Sequence, residues 1–180
     1  MPSPRAANQT GVALTVRDTA LGELRLAATD RALVYCGFQS AAEVARKLAR
    51  AGLCEAPADT WTPRQTALLD TAEDQLAAYL AGRRRDFALP LDLTLATPFC
   101  AETVRALDAL VPYGRTATYG QLAHALDRPG AARAVGTALG ANPLCVVLPC
   151  HRVVPSTGRT GGYAGGETLK RHLLDLERGA

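Results

Sequence analysis

The run Leu148-Pro149-Cys150-His151-Arg152-Val153 sets a thiol beside an imidazole in an apolar segment introduced by proline. A cysteine becomes a useful nucleophile when its thiolate is stabilised, and a neighbouring His or Arg can do that. The other cysteines, Cys36, Cys54, Cys100 and Cys145, lie in apolar or helical contexts and read as small structural residues. Five is an odd count without paired spacing, so a disulfide framework is not expected and reduced thiols are. Cys145, Cys150 and His151 lack the paired spacings of a zinc site, and no metal or cofactor is called for. The glycine-rich stretch Gly161 to Gly166 could cradle a phosphate, but it lacks the Gly-Lys-Ser/Thr ending of a phosphate-binding loop.

Upstream of the thiol the chain spells two short helices. Thr118-Tyr119-Gly120-Gln121 is a capping box, and the helix it opens is broken by Arg128-Pro129-Gly130. A second helix runs over 131–140, so the pair has the outline of a helix-turn-helix. Ala131, Ala132, Ala134, Gly136, Thr137 and Ala138 leave the second helix nearly free of bulk, and Arg133 is its one long side chain. Such a helix can approach another surface closely; tight packing inside the protein explains it equally well. A helix reading bases in the major groove would carry several polar readers.

The elements that must position these groups are those of an α+β chain. Alternating apolar positions at Val12, Leu14, Val16, at Leu24, Leu26 and through 32–38 predict a three-stranded antiparallel meander. Ser40-Ala41-Ala42-Glu43 caps a helix burying Val44 and Leu48, 54–61 reads as a loop, and Thr62-Pro63-Arg64-Gln65 opens a longer helix through Leu69, Leu76 and Tyr79. Arg83-Arg84-Arg85 reads as a solvated helix end rather than a nucleic-acid patch. Leu89, Leu91, Leu93 and Leu95 predict a half-buried strand, and a helix from about Pro98 to Leu110 follows. Two domains are expected, 1–96 and 97–180, the first without catalytic punctuation.

Composition narrows the classes. The net charge is only +3, its excess lying wholly in 97–180, which does not announce a nucleic-acid partner. At 48% hydrophobic and 21% charged residues, the chain reads as soluble and globular. No apolar run approaches the roughly 20 residues that span a bilayer, and the polar opening lacks a signal-peptide core, so a cytoplasmic location without membrane contact is expected.

Taken in order, Pro112-Tyr113-Gly114, Thr118 to Ala123, Ala132 to Gly136, Asn142-Pro143, Leu148 to Val153, Gly162 to Gly166, Lys170, Leu173-Leu174 and Glu177 resemble the O6-alkylguanine-DNA alkyltransferases. These are suicide repair proteins that take an alkyl group from guanine O6 onto their own cysteine. The resemblance covers about 97–180, with a looser match across Tyr79-Leu80-Ala81-Gly82 and the meander. It implies a ribonuclease H-like sheet domain followed by a mostly helical winged-helix domain. It also implies irreversible transfer of a methyl or other alkyl group to Cys150, and leaves open whether O4-alkylthymine is a further substrate. Catalytic roles then fall to Cys150, to His151 as base through a bridging water, to Glu177 orienting the imidazole, and to Tyr119 donating to the guanine.

DNA contacts fall to Thr118, Ala132, Arg133 and Gly136, with Arg133 replacing a base flipped from the minor-groove side. Asn142 is implied as a hinge acting through backbone hydrogen bonds, and Asn142, Val153, Tyr163 and Ala164 as the substrate pocket. Arg105 stands where the family usually has Trp, and the zinc-binding N-terminal residues of some members have no counterpart. The expected partner is double-stranded DNA, bound by a monomer. Two other classes compete: a cysteine hydrolase using Cys150, His151 and Glu177, and a non-catalytic DNA-binding regulator.

Overall fold

The computed structural model describes residues 10–157 and 159–179; the polar opening at 1–9 lies outside them. Strands β1 (Thr10–Thr19), β2 (Gly22–Ala28) and β3 (Leu33–Gly37) form the expected antiparallel meander. Their period of two sends neighbouring residues to opposite faces. Val12, Ala27 and Val34 pack against Val44 and Leu48 of α1 (Ala41–Arg50), while Ala13, Leu26 and Cys36 join Leu69, Leu76 and Tyr79 of α2 (Pro63–Leu80). Both helices start at the capping boxes read from the sequence, Ser40/Glu43 and Thr62/Gln65. The α2 face of the sheet also takes the second half of the chain, so one apolar cluster runs from Ala13 to Leu173.

Two expectations are corrected. Leu53–Glu55, part of which was read as loop, is a short strand β4 that pairs in parallel with β1, giving the order β3-β2-β1-β4. The stretch 89–95 forms no strand: Leu91 makes an isolated bridge to Leu33, with Leu33 N–H donating to Pro90 O and Asp92 N–H to Leu33 O. Pro90 has no N–H to extend the ladder, and Asp92 Oδ1 accepts from Thr94 N–H, which turns the chain away.

The second half holds α3 (Pro98–Arg105), α4 (Leu107–Leu110), β5 (Ala117–Thr118), α5 (Tyr119–Ala125), α6 (Ala132–Gly140), a 3-10 turn at Cys150–Arg152, β6 (Val153–Val154) and α7 (Glu167–Arg178). The helix expected over 98–110 is interrupted at Ala106, whose N–H turns to Val104 O. Between α5 and α6 the chain reverses through Asp127 and Gly130, both at positive φ, and the N–H groups of Asp127 and Arg128 return to His124 O and Ala123 O. Helix α6 packs on α3 and α5 and keeps Arg133, Ala134 and Thr137 exposed. Parallel pairing of β5 with β6 ties the start of this helix pair to the end of the Cys150 turn. No helix among the described residues is long and apolar enough to cross a membrane.

Candidate active site

Cys150 sits at the start of its 3-10 turn, 5% exposed, in a loop held by side chains as much as by backbone. Asn142, just past the end of α6, makes three contacts there. Its Nδ2 donates to Leu148 O (3.0 Å) and to Cys150 Sγ (3.2 Å), and its Oδ1 accepts from Leu144 N–H (3.0 Å). The same loop is anchored to the sheet, since Cys36 N–H donates to Pro143 O and Cys145 N–H to Cys36 O. Within it Val146 adopts φ 71, a left-handed conformation that a β-branched residue holds only when its surroundings impose it.

The Cys150 thiol is held below its ordinary pKa. A hydrogen bond with the Cys145 thiol contributes most, and Asn142 and the Lys170 charge add to it against the opposing effect of burial. Lys170 is itself 1% exposed, its Nζ donating to Val153 O (2.6 Å), and burial lowers its pKa.

Behind the thiol lies a buried charge cluster. Glu177 and Lys170 fall on the inward stripe of α7 with Leu173 and Leu174, the i, i+3, i+4, i+7 pattern of one helix face. Glu177 Oε1 accepts from His151 Nε2 (2.8 Å), from the Tyr79 hydroxyl and from Arg152 Nε (3.0 Å), while Oε2 accepts from Arg152 Nε (2.9 Å) and Gly114 N–H (3.0 Å). Gly114 reaches this position at φ 73, where an added Cβ would meet Glu177 O at 3.0 Å. Arg152 continues to Val111 O (3.0 Å) and Asp108 Oδ1 (3.1 Å).

Burial opposes the Glu177 charge, but the hydrogen bonds from His151, Tyr79 and Gly114 outweigh it and hold the carboxyl at about 2. Burial also lowers the His151 pKa and so favours neutral imidazole, although Glu177 pulls the other way. An ionised carboxylate only accepts, so the imidazole proton sits on Nε2. Nδ1 is left as a buried lone pair without a hydrogen-bond partner among the described residues.

In front of the thiol is a cavity of about 340 Å³, at the lower end of small-molecule sites, which span roughly 300–1,000 Å³. Tyr119, Gly136, Cys150, Tyr163 and Ala164 are among its walls, and the buried Tyr163 hydroxyl has no hydrogen-bond partner among the described residues. Tyr119 and Gly136 also border an adjoining open groove of about 650 Å³, which Thr118, Ala132 and Arg133 line.

Residues 98–179 match the family described as 6-O-methylguanine DNA methyltransferase, DNA binding domain, and residues 12–93 match the ribonuclease-like domain of the same family. The methylated-DNA–protein-cysteine methyltransferase of Mycobacterium bovis is 47% identical over 118 residues, 66% of this chain and 70% of its own. The chain belongs to the 6-O-methylguanine DNA methyltransferases. A crystal structure of the Mycobacterium tuberculosis O6-methylguanine methyltransferase superposes with a TM-score of 0.75 at 36% identity, covering 93% of both chains. That of the same organism's OGT in complex with DNA gives 0.76 at 36% identity, over 93% of this chain and 94% of the other.

The structure brings most of the sequence-derived residues of this methyltransferase to one place. Cys150, Tyr119, Tyr163 and Ala164 share the cavity, His151 and Glu177 are in contact, and Thr118, Ala132, Arg133 and Gly136 share the groove. Asn142 acts through its side chain, not through backbone hydrogen bonds alone, and touches the sulfur directly. Val153 is fully buried outside the cavity walls, its carbonyl engaged by Lys170. Arg152, read as a stabiliser of the thiolate, turns instead to Glu177 and Asp108.

Four participants were not singled out by the sequence. Cys145 lies five residues before Cys150 in the same loop, which is the signal that could have found it. Lys170 was noted only as a family match, and Gly114 as part of a turn. Tyr79 lies in the other half of the chain, and its helical spacing marked it only as a core residue. Arg85, read as a solvated helix end, places its guanidinium 5.5 Å from the Tyr113 ring centroid.

Proposed function

We propose that Cys150 is the acceptor of this methyltransferase, attacking the O6-alkyl carbon of a guanine held in the 340 Å³ cavity. The observation that carries this reading is the single cavity shared by a thiol of lowered pKa, a tyrosine hydroxyl without a partner and the Tyr119 ring. In-line displacement forms a carbon–sulfur bond and breaks the carbon–oxygen bond, and the electron pair leaves on guanine. Neutral His151 takes the thiol proton through Nδ1 by way of a water, and Glu177 keeps the ring in that tautomer. Tyr119 donates to the guanine as charge develops on it.

The target carbon is out of reach in a stacked duplex, so the nucleotide is flipped into the cavity. The smooth face of α6 approaches the minor groove, and Arg133 fills the vacated stack. The bordering of cavity and groove by the same Tyr119 and Gly136 supports this route. All five cysteines are free thiols, which fits work in a reducing compartment.

A thioether is not hydrolysed as a thioester is, so each molecule reacts once. With a duplex bearing O6-methylguanine in excess, repaired guanine is expected to plateau at one equivalent, and the added methyl mass to map to the Cys150 peptide. Turnover past that plateau would return the hydrolase reading.

Arg133→Ala is expected to slow repair of duplex DNA by about 100-fold, equivalent to the few kcal/mol of unstacking it offsets, while reaction with free O6-benzylguanine changes little. Paired rate measurements on the two substrates check this; equal losses would assign Arg133 to folding.

A further inference from the structure

The mechanism above leaves unused a hydroxyl that the sheet domain sends into the charge cluster. Tyr79, near the end of α2, is fully buried, donates to Glu177 Oε1 and lies 3.3 Å from His151 Nε2, so three polar groups meet at one point. Its ring is held in place by Phe87, centroid to centroid 5.1 Å, and by Tyr113 edge-on at 6.1 Å. Burial first, then the Glu177 charge, keeps the phenol protonated and therefore a donor. Filling apolar space alone would need only a phenylalanine here; the hydroxyl is aimed at the one carboxylate that orients the imidazole.

We infer that Tyr79 is a positioning residue for alkyl transfer, its hydroxyl setting how strongly Glu177 holds the His151 base. This rests on the reading of His151 as the base for Cys150. By drawing charge from Oε1, the phenol weakens the pull of the carboxylate on the Nε2 proton and helps keep the ring neutral. The sheet domain thus reaches the chemistry through one side chain of α2.

The other groups facing the imidazole and its carboxylate come from four places. They are Arg152 on the 3-10 turn, Lys170 on α7, the Gly114 N–H, and Tyr163, whose ring stands edge-on to His151 at 6.4 Å. Asp108 on α4 lies beyond Arg152, and Tyr113 faces Tyr79.

The test is the pH profile of benzyl transfer from free O6-benzylguanine, which needs neither DNA nor base flipping. In Tyr79→Phe the carboxylate pulls harder on Nε2–H, His151 becomes more basic, and the acid limb is expected to move up by about one pH unit. Rates below the limb then fall about tenfold, while the alkaline plateau changes less. Replacing Tyr79 by 3-fluorotyrosine keeps the shape and the hydroxyl but donates more strongly, and should move the limb the other way. An unmoved limb, or a loss uniform in pH, would overturn the inference and leave Tyr79 a core residue. If the phenylalanine variant does not fold, the fluorinated one decides by the same criterion. Failure of the parent protein to acquire benzyl mass on Cys150 would count instead against the proposed function.

Discussion

Cys150→Ser is expected to bind duplex DNA as the parent does and to transfer no alkyl group, a rate loss of at least about 10⁴-fold. The reason is the state of the attacking atom. A thiol held below its ordinary pKa by Cys145, Asn142 and Lys170 gives up its proton more readily, whereas those neighbours cannot bring a serine hydroxyl near ionisation. The substitution is nearly isosteric, and the hydroxyl still accepts the Asn142 N–H that now reaches Sγ at 3.2 Å. Stability and DNA affinity should therefore hold. Rapid-quench assay with a duplex carrying one O6-methylguanine, beside a binding titration on undamaged duplex, separates the two effects. Transfer at the parent rate would move the acceptor to one of the other four cysteines.

Glu177→Gln should cost both rate and stability. The carboxylate is the shared acceptor for His151, Tyr79, Arg152 and Gly114, and Arg152 is 3% exposed. Removing one partner of a buried ion pair costs about 3–5 kcal/mol because the remaining charge is left without compensation. For a chain of this size that lowers the unfolding midpoint by roughly 10 °C. The contact of Arg152 with Asp108, which is open to solvent, does not replace it.

The amide can also donate to Nε2, which moves the imidazole proton to Nδ1 and removes the lone pair that would accept from the thiol. Loss of the base costs transfer about 10²–10⁴-fold. Thermal unfolding together with benzyl transfer at a temperature where the variant is folded checks both arms. A variant as stable as the parent would show that the cluster is open to water.

The same carboxylate gives the pH dependence of stability a sign. Its folded pKa of about 2 lies below the roughly 4.3 of a free glutamate. Its contribution is therefore complete above that ordinary value and disappears as pH falls from there through about 2.

Patterns local in the chain were legible without a fold. Capping boxes at Ser40, Thr62 and Thr118 use groups three residues apart, and the meander shows itself in period-two alternation; both are short-range constraints that a sequence displays directly. Gly130 and the bare surface around Arg133 likewise mark the turn and the open face of α6. The failures were local too. Leucine alternation over 89–95 looked like a strand, but strand formation needs a partner edge and N–H groups to pair, and Pro90 with the Asp92 turn denies them.

By itself the sequence singled out the proposed nucleophile and its immediate neighbour, since Pro149, Cys150 and His151 are adjacent. It also determined the helix pair that precedes them and the order of motifs that marks the family. Only the tertiary structure decided where charge goes. It turned Arg152 from the thiol to Glu177, put Cys145 beside Cys150 at a left-handed Val146, and buried Lys170 and Glu177 on the inward face of α7. It also carried Tyr79 across 98 positions of sequence to the same carboxylate. Periodicity reports which residues leave water, whereas hydrogen bonds between buried polar groups depend on which surfaces meet, and that is set by packing between segments remote in the chain.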